Sequence, residues 1–389
     1  ASAGAPDQTP SRKGFLIAIS SLTPKSSSHN PPFKIFFISN PEMKMKRPLL
    51  IALTACFAAV AWERWSTPLQ AAEPPNDLLL AYYYPWYLQG DWSRHAYAGT
   101  PVLGKYGTDD PKTAAQHVKW ASDYGIDGFF TSWWGRGSLT DKHLKAGLLK
   151  ASNIGDIKFA IYYEAFGILD RVDGKKDSIV DFSKPAVSRR MIADFAIMKE
   201  QFFAHESYLK IDDRPVVGLY VTRQFRHFKA AHIAALEKEL GTDVYLIADE
   251  PFIVGRQRRP ETAENSSVFD AYSSYNMFEN ANIRDDDTAL TFMRREVMPV
   301  YRAWAKKKVL LPGFMPSYKD FRGNKVLPGN AAELGKIIEL MKSLPLKPVG
   351  KEVDRIFLLT SFNEWWEGTT VEPAKEYGTG YLEVLRDAF

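Results

Sequence analysis

The sequence has almost no cysteine. Cys56 is the single cysteine among 389 residues. It lies in an N-terminal apolar stretch, which leaves the rest of the chain without disulfides, a thiol nucleophile or a cysteine-ligated zinc site. His95, His117 and His143 have no metal-ligand spacing, and the three aspartates at 285–287 lack the alternating ligands and glycine of a calcium loop. Neither a metal nor another cofactor is therefore predicted.

An excess of charge of one sign is also lacking. The chain has 50 Lys and Arg residues against 46 Asp and Glu residues, a formal net charge of +4. No long basic run stands above this balance, so nucleic acid is not an expected partner. No glycine-rich nucleotide-binding loop is present either. The oligomeric state is left open.

A long apolar run of membrane-spanning length is missing. The basic stretch 43–47 leads into the apolar stretch 49–62, which has the length of a signal peptide and is too short for a comfortable span. We predict a signal peptide and cleavage region at 43–72 and no transmembrane span in the mature protein. Residues 1–42 contain no methionine and no periodic apolar face, so we interpret them as an upstream non-native or disordered segment.

Two processing routes are open for this signal. One is peptidase cleavage after a small residue, near Ala61 or at Ala71 or Ala72. The other is lipidation at Cys56, because residues 53–56 resemble a bacterial lipobox. Either route predicts a secreted or periplasmic protein, with a lipid anchor in the second case.

Aromatic residues are abundant. The chain has 10 Trp, 18 Tyr and 24 Phe residues, 13% of its length. Such side chains fill cores, and they also stack on the apolar faces of ring-shaped ligands.

Short apolar runs alternate with amphipathic stretches after residue 73. This alternation is typical of repeated βα units, and eight such units close into a barrel. We therefore predict a (β/α)8 TIM barrel, a single catalytic domain, over 73–389. The predicted strands are 78–84, 128–132, 158–163, 216–221, 244–248, 271–275, 309–315 and 355–360. The predicted helices include 113–124, 190–203, 230–240, 288–306 and 331–344.

The carboxyl ends of these strands carry aromatic and acidic residues. Barrels of this kind place their chemistry at those ends. The strand-end residues are 83–87 after the first strand, Trp133 and Trp134 after the second, Glu164 after the third, Asp249 and Glu250 after the fifth, Tyr275 and Asn276 at the sixth, and Asn363 and Glu364 after the eighth.

Glu364 and Glu367 are the candidate catalytic pair. Cleavage of a glycosidic bond needs a proton donor and a second group, which is why two carboxyl groups recur in this chemistry. If the two lie together beside Trp365 and Trp366, repulsion should raise one pKa, and the owner of that pKa would suit a general acid. The alternative is a pair of surface glutamates that caps the following helix.

Segment 361–369 resembles glycoside hydrolase family 99, the family of endo-α-1,2-mannosidases and endo-α-1,2-mannanases. The family motif reads Ser-Phe-Asn-Glu-Trp-His-Glu-Gly-Thr, and only Trp366, in place of the histidine, departs from it. The likeness extends through most of the predicted domain, at 82–87, 106–111 with His117, 125–127, 132–133, 158–164, 215–220, 269–270 and Tyr275.

The resemblance implies a mechanism. In that family the first glutamate of the motif acts as a base toward the sugar's own 2-hydroxyl, which attacks the anomeric carbon to give a 1,2-anhydro sugar, and the second glutamate is the acid. Glu364 would then be the base and Glu367 the acid, with net retention. Glu164 would bind the sugar next to the cleaved bond. Trp366 and the loops 89–91 and 135–137 depart from the family pattern, which leaves the substrate open.

Further residues are predicted to bind the substrate. For each tryptophan or tyrosine among them, the alternative is a place in the core. Trp134 could equally bind a ligand or lie in the core. The predicted substrate-binding residues are Tyr84, Trp86, Trp133, Glu164, Tyr220, Tyr275, Asn363 and Trp366.

The prediction that unites these features is a glycosidase acting on a mannan-like or other polysaccharide. Monosaccharide, linkage and endo or exo action stay open. Two alternatives remain: a glycosyltransferase-like protein of surface-polysaccharide biosynthesis, since some such proteins carry a similar Asn-Glu-Trp-x-Glu-Gly segment, and a non-catalytic glycan-binding barrel.

Overall fold

The computed structural model describes residues 76–90, 92, 97–172, 174, 179–251, 268–278, 283–319 and 325–389. The predicted segments 1–42 and 43–72, with Cys56 and the candidate cleavage sites, lie outside the described residues. Within the described ranges, every helix is too short or too polar to traverse a lipid bilayer.

Eight parallel strands form the central sheet, in the order β7-β8-β1-β2-β3-β4-β5-β6. They are β1 Asp77–Tyr83, β2 Gly128–Trp133, β3 Lys158–Tyr163, β4 Arg214–Leu219, β5 Tyr245–Asp249, β6 Ala271–Ser273, β7 Gly313–Phe314 and β8 Arg355–Leu359. A parallel bridge between Tyr272 and Leu310 joins β6 to the residues just before β7. The predicted (β/α)8 barrel is confirmed.

Alternate residues of the first three strands face the inside of the barrel. The pairing register sets Tyr82 beside Phe130, and Phe130 beside Ala160. Inside the barrel, the ring centroid of Tyr82 lies 4.8 Å from that of Tyr162 and 5.0 Å from that of Tyr275. Because side chains alternate along a strand, Tyr84, Ser132 and Glu164 continue these inward rows to the carboxyl end.

Helices surround the sheet. The first begins at Pro111, where Asp110 accepts hydrogen bonds from the amides of Lys112 at 3.1 Å and Thr113 at 3.2 Å, a proline and acidic cap typical of helix starts. The α-helices are Pro111–Asp123, Leu139–Ala146, Ala165–Leu169, Pro185–Met198, Ala230–Leu240, Ala289–Phe292, Met298–Ala305, Ala331–Lys342 and Gly380–Ala388. Short 3-10 turns lie at Leu148–Lys150, Ile154–Asp156 and Thr222–Gln224.

Two predicted helices are interrupted. The helix predicted over 288–306 is divided by a π-helical turn at Met293–Val297, just before Pro299. Proline has no amide hydrogen for the preceding turn, and its ring clashes with the carbonyl one turn back, which favours a wider turn there. The helix predicted over 190–203 begins earlier, at Pro185, and ends in a second π-helical turn at Lys199–Phe203.

Short additional strands pair at the edges of the barrel. Lys210–Ile211 pairs antiparallel with the start of β4, and Val180–Asp181 pairs parallel with Phe225–Arg226. Tyr318–Lys319 and Val326–Leu327 pair antiparallel above β7. The backbone amide of Lys319 donates to the carbonyl of Glu367 at 2.7 Å, so this pair of strands supports the segment after β8.

Candidate active site

The segment after β8 forms a tight turn at the carboxyl end of the barrel. The peptide bond between Thr360 and Ser361 is cis. Ser361 Oγ accepts a hydrogen bond from the amide of Glu364 at 2.8 Å. The amide of Trp366 then donates to Glu364 Oε1 at 2.9 Å. These bonds fix the orientation of the Glu364 carboxyl, which is 2% exposed.

Glu367 lies in the same turn after β8, three residues beyond Glu364. Tyr275, which follows β6, donates its hydroxyl to Glu367 Oε2 at 2.6 Å. Glu367 is half-buried, whereas Glu364 is buried. The two glutamates are thus held by different neighbours in different environments, unlike a pair of exposed helix-capping residues.

Glu164 lies close to both. It follows β3 at the inward-facing position, and Ser132 of β2 donates its hydroxyl to Glu164 Oε1 at 2.6 Å. Burial raises the pKa of Glu164 to about 8, opposed by the Ser132 hydrogen bond and reinforced by the negative charges of Glu367 and Asp249. A buried carboxyl in this setting holds its proton at neutral pH.

The phenol of Tyr84 lies within the electrostatic reach of all three carboxyl groups. Burial raises the pKa of Tyr84, and the negative charges of Glu164, Glu364 and Glu367 raise it further. The Tyr84 ring also lies 6.0 Å from that of Tyr275, edge to face. The structure therefore brings together the predicted catalytic glutamates and the predicted Glu164 around one tyrosine.

The surroundings of Glu364 change the pKa of its carboxyl group. Burial is the main cause that raises this pKa well above its ordinary value, and the charge of Glu367 adds to it. Hydrogen bonds from Trp366 and Tyr87 oppose the rise. A raised pKa suits a general acid, yet Glu364, whose pKa is raised, is the glutamate that the resemblance makes the base.

Aromatic side chains form a pocket beside the carboxyl groups. It has a volume of about 270 Å³. Trp86 stacks on Trp366 with ring centroids 5.2 Å apart and an interplanar angle of 14°, and Trp86 also contacts Tyr84 at 4.4 Å. The pocket is lined by Trp86, Tyr87, Leu88, Tyr97, Trp134, Leu139, Thr140 and Trp366. Two predicted substrate-binding residues, Trp86 and Trp366, therefore lie where a ring-shaped ligand would enter.

Trp133, predicted to bind substrate, does not reach the pocket. The structure buries it completely on the outer side of β2, where its indole Nε1 donates to Asp141 Oδ1 at 3.0 Å and its ring packs against Phe202. Because Ser132 faces the barrel interior, the next residue must face the helices. The exposed neighbour is Trp134, which is 37% exposed and lines the aromatic pocket.

Asn363 also differs from its predicted role. Its side chain is fully buried, accepts a hydrogen bond from the Tyr84 amide at 2.8 Å, and donates to the Tyr84 carbonyl at 3.1 Å. Both of its polar atoms thus bind the backbone at the end of β1, which leaves no exposed group for a sugar. Asn363 ties the segment after β8 to Tyr84.

Tyr220 lies where it was predicted, at the end of β4. It is half-buried, and its ring lies 6.2 Å from that of Tyr275 and 5.8 Å from that of Tyr162. It belongs to the aromatic wall around the carboxyl groups.

Tyr87 and the pair of Asp249 and Arg223 were given no role from the sequence. Tyr87 lies in the first-strand aromatic run and donates its hydroxyl to Glu364 Oε1 at 3.4 Å. Asp249, at the end of β5, pairs with Arg223 at 2.8 Å in a buried ion pair, and its charge contributes to the raised pKa of Glu164. The strand-end position was a signal for Asp249. For Arg223 the sequence holds no comparable signal.

No metal site accompanies these carboxyl groups in the part of the chain that the structure describes. There, no group of His, Cys, Asp and Glu side chains has an arrangement suited to a metal ion.

We expect Glu164→Gln to alter how stability depends on pH. The folded chain holds a proton on Glu164 up to about pH 8, whereas the unfolded chain releases it near the ordinary glutamate value, so the stability tied to this group is complete in acid and is lost as the pH rises through that window. A neutral glutamine avoids the loss. The free energy of unfolding of the variant should exceed the wild-type value by on the order of 4 kcal/mol at about pH 8, and by little at about pH 4.5.

Urea unfolding at several pH values measures this gap. Glu206→Gln, at an exposed position, is the control and should show no gap that opens with pH. A Glu164→Gln variant that follows the wild-type curve at every pH would show that Glu164 ionises normally.

The barrel and the carboxyl groups at its mouth define the class: this is a (β/α)8 barrel with a glycoside hydrolase family 99-like fold. The family described as "Glycosyltransferase WbsX" matches residues 89–327, more than half of the chain. The chain belongs to that family. No curated protein matches it.

Solved structures share the fold. The family 99 endo-α-mannosidase from Bacteroides thetaiotaomicron, in complex with bis-tris-propane, is 20% identical, with 81% of this chain and 97% of that chain covered and a TM-score of 0.58. A protein described as glycoside hydrolase-like is 17% identical, with 83% and 97% covered and a TM-score of 0.63. The predicted likeness to family 99 is thereby confirmed for the fold.

Proposed function

We propose that this chain is a retaining glycosidase that cleaves α-glycosidic bonds in a mannan-like or related polysaccharide. The observation that carries the proposal is the placement of Glu164, Glu364 and Glu367 at the same end of the barrel, held by Ser132, the Trp366 amide and Tyr275, next to an aromatic pocket. Paired carboxyl groups in unlike environments suit acid–base cleavage of an acetal.

Glu364 serves as the base in this proposal. The sugar's 2-hydroxyl gives its proton to Glu364 while its oxygen attacks the anomeric carbon, so a carboxylate need not reach that carbon itself. The raised pKa of Glu364 makes its ionised form a stronger proton acceptor. The Trp366 amide holds the receiving carboxyl in place.

Glu367 serves as the acid. It gives its proton to the departing glycosidic oxygen, and the Tyr275 hydroxyl at 2.6 Å then stabilises the carboxylate that remains. In the second step Glu367 takes a proton from water as the water opens the 1,2-anhydro ring. Glu364 returns its proton to the 2-oxygen, which restores both glutamates with net retention.

The aromatic pocket supplies binding. Trp134, together with the remaining exposed surface of the stacked Trp86 and Trp366 rings, offers apolar area that suits the carbon–hydrogen faces of pyranose rings. Glu164 would contact the sugar at the cleaved bond, as the resemblance implies. Since the signal predicted at 43–72 would export the protein, the proposed substrate is a polysaccharide outside the cytoplasm.

A screen of the 73–389 domain against α-mannans and other α-glycans tests the proposal. Release of reducing ends by the wild type, and its loss in Glu364→Gln and Glu367→Gln, is the expected result. Full activity in either variant would contradict the mechanism. Tight binding of several glycans without cleavage would favour a non-catalytic glycan-binding barrel.

A second candidate function follows from the family's description as a glycosyltransferase. In that case the barrel would work in surface-polysaccharide biosynthesis and would use an activated sugar donor. Incubation with nucleotide sugars and an oligosaccharide acceptor separates the two functions. Transfer to the acceptor, with no release of reducing ends from α-glycans, would favour the transferase.

A further inference from the structure

A buried carboxyl group lies behind the catalytic turn. Glu372 is completely buried, and its Oε2 accepts hydrogen bonds from Trp365 Nε1 at 3.0 Å and from the Tyr106 hydroxyl at 2.7 Å. His117 Nε2 lies 3.3 Å from Glu372 Oε1, and His117 Nδ1 lies 3.1 Å from the Tyr83 hydroxyl. We name these five residues the Glu372 cluster. None of them was predicted to act in catalysis or in substrate binding.

Trp365 connects this cluster to the active site. It stands in the turn between Glu364 and Glu367, and its ring is completely buried. Its amide donates to the Tyr87 hydroxyl at 3.0 Å, and its carbonyl accepts from the Ala98 amide at 3.0 Å. Backbone and indole are thus both held, and a shift of Trp365 would move the glutamates on either side.

The chemical nature of the Glu372 side chain indicates its role. A carboxyl group buried away from water is costly, and apolar packing of similar volume would often stabilise the fold as well or better. What a hydrogen-bonded carboxyl adds is direction: it accepts from the indole Nε1 in a single ring orientation. Glu372 receives two such bonds from groups that reach it from separate parts of the chain.

We infer that Glu372 is a positioning residue, which holds the Trp365 indole and thereby sets the placement of Glu364 and Glu367 for acid–base chemistry. Glu372 acts through Trp365, whose indole Nε1 it holds in a hydrogen bond. The inference rests on the proposed function for its catalytic consequence, whereas the placement itself is testable without activity.

Three substitutions test it. Glu372→Gln keeps the volume, and Trp365→Phe keeps a ring but removes the indole donor. Tyr106→Phe removes the second donor to Glu372, a hydroxyl that also accepts from the indole Nε1 at 3.2 Å. For Glu372→Gln and Trp365→Phe we expect kcat to fall by about 100-fold, as a misplacement near 1 Å can cause, with KM changed by less than about three-fold because the aromatic pocket is untouched. Tyr106→Phe should lower kcat by less, and it tests the inference if the first two variants fail to fold.

A second readout does not depend on turnover. Glutamate-labelled ¹³C NMR follows the Glu364 carboxyl, assigned by its loss in Glu364→Gln, and its titration midpoint should move in the cluster variants. Glu376→Gln is the matched control, since exposed Glu376 binds Thr100 and does not bind Trp365. It should leave both the midpoint and kcat unchanged.

The outcomes separate the two proposals. If the wild type cleaves no glycan but the Glu364 midpoint moves in the cluster variants, the proposed function fails and the positioning role stands. If folded cluster variants keep the wild-type midpoint and kcat, the positioning role is wrong. A rise in KM with kcat unchanged would also overturn it, because that pattern indicates lost binding.

Discussion

Glu364→Gln and Glu367→Gln should each lower kcat/KM on a natural α-glycan by about 1000-fold, the range that general acid–base catalysis contributes. Glutamine keeps the shape of each side chain but neither accepts the 2-hydroxyl proton nor donates one to the leaving oxygen. Sugar binding in the aromatic pocket should survive, because Trp86 and Trp134 lie outside the substitution. Initial rates and equilibrium dialysis with an oligosaccharide measure the two effects.

An activated substrate distinguishes the roles of the two glutamates. A glycosyl fluoride has a leaving group that needs little protonation, so Glu367→Gln should recover the first step, measured as release of fluoride, although the water that opens the anhydro ring still lacks its base. Glu364→Gln should stay inactive, because attack by the 2-hydroxyl still requires a base. The reverse pattern would exchange the two roles and would agree with Glu364, the owner of the raised pKa, as the acid.

Trp133→Ala should lower the free energy of unfolding by about 3–5 kcal/mol, as expected when a large buried aromatic is removed from a core. Its indole is completely buried between β2 and the surrounding helices and bonds Asp141. The same substitution at Trp134 should cost less, because 37% of this residue is exposed and less buried area is lost. Urea unfolding of the two variants measures the difference.

Glycan binding should show the opposite order. Trp134→Ala removes an aromatic face from the pocket, and we expect it to weaken oligosaccharide binding by about ten-fold. Trp133→Phe, which keeps an aromatic ring in the core, is the control and should bind as the wild type does. If Trp133→Phe alone lost affinity while Trp134→Ala bound normally, our placement of the two tryptophans would be wrong.

The family and the fold could be predicted from the sequence because each is encoded in short, contiguous segments. The apolar runs that became β1 to β8 are each a few residues long, and the segment 361–369 carries its resemblance in consecutive residues. Even so, the boundaries moved: the strand predicted over 271–275 ends at Ser273, and the strand predicted over 309–315 is confined to Gly313–Phe314. Strand ends depend on pairing partners that the sequence does not reveal.

The roles of single side chains were less readable. Trp133 and Trp134 are adjacent and chemically identical, and only the inward placement of Ser132 decides which of them reaches the pocket. Asn363 stands within the motif, yet its bonds go to the backbone of Tyr84, 279 positions away. A one-residue difference in where a strand ends reverses which face a side chain joins.

The sequence by itself determined the barrel, the family likeness, and the position of Glu364 and Glu367 after the last strand, since each is written in short contiguous stretches. Only the tertiary structure decided how these glutamates are held: Glu367 by Tyr275, Glu364 by Ser361 and the Trp366 amide, and Trp365 by Glu372. Tyr106, which shares Glu372 with Trp365, comes from 266 positions away. Contacts across such separations form only when the barrel closes, so the physical setting of each carboxyl group is a property of the fold.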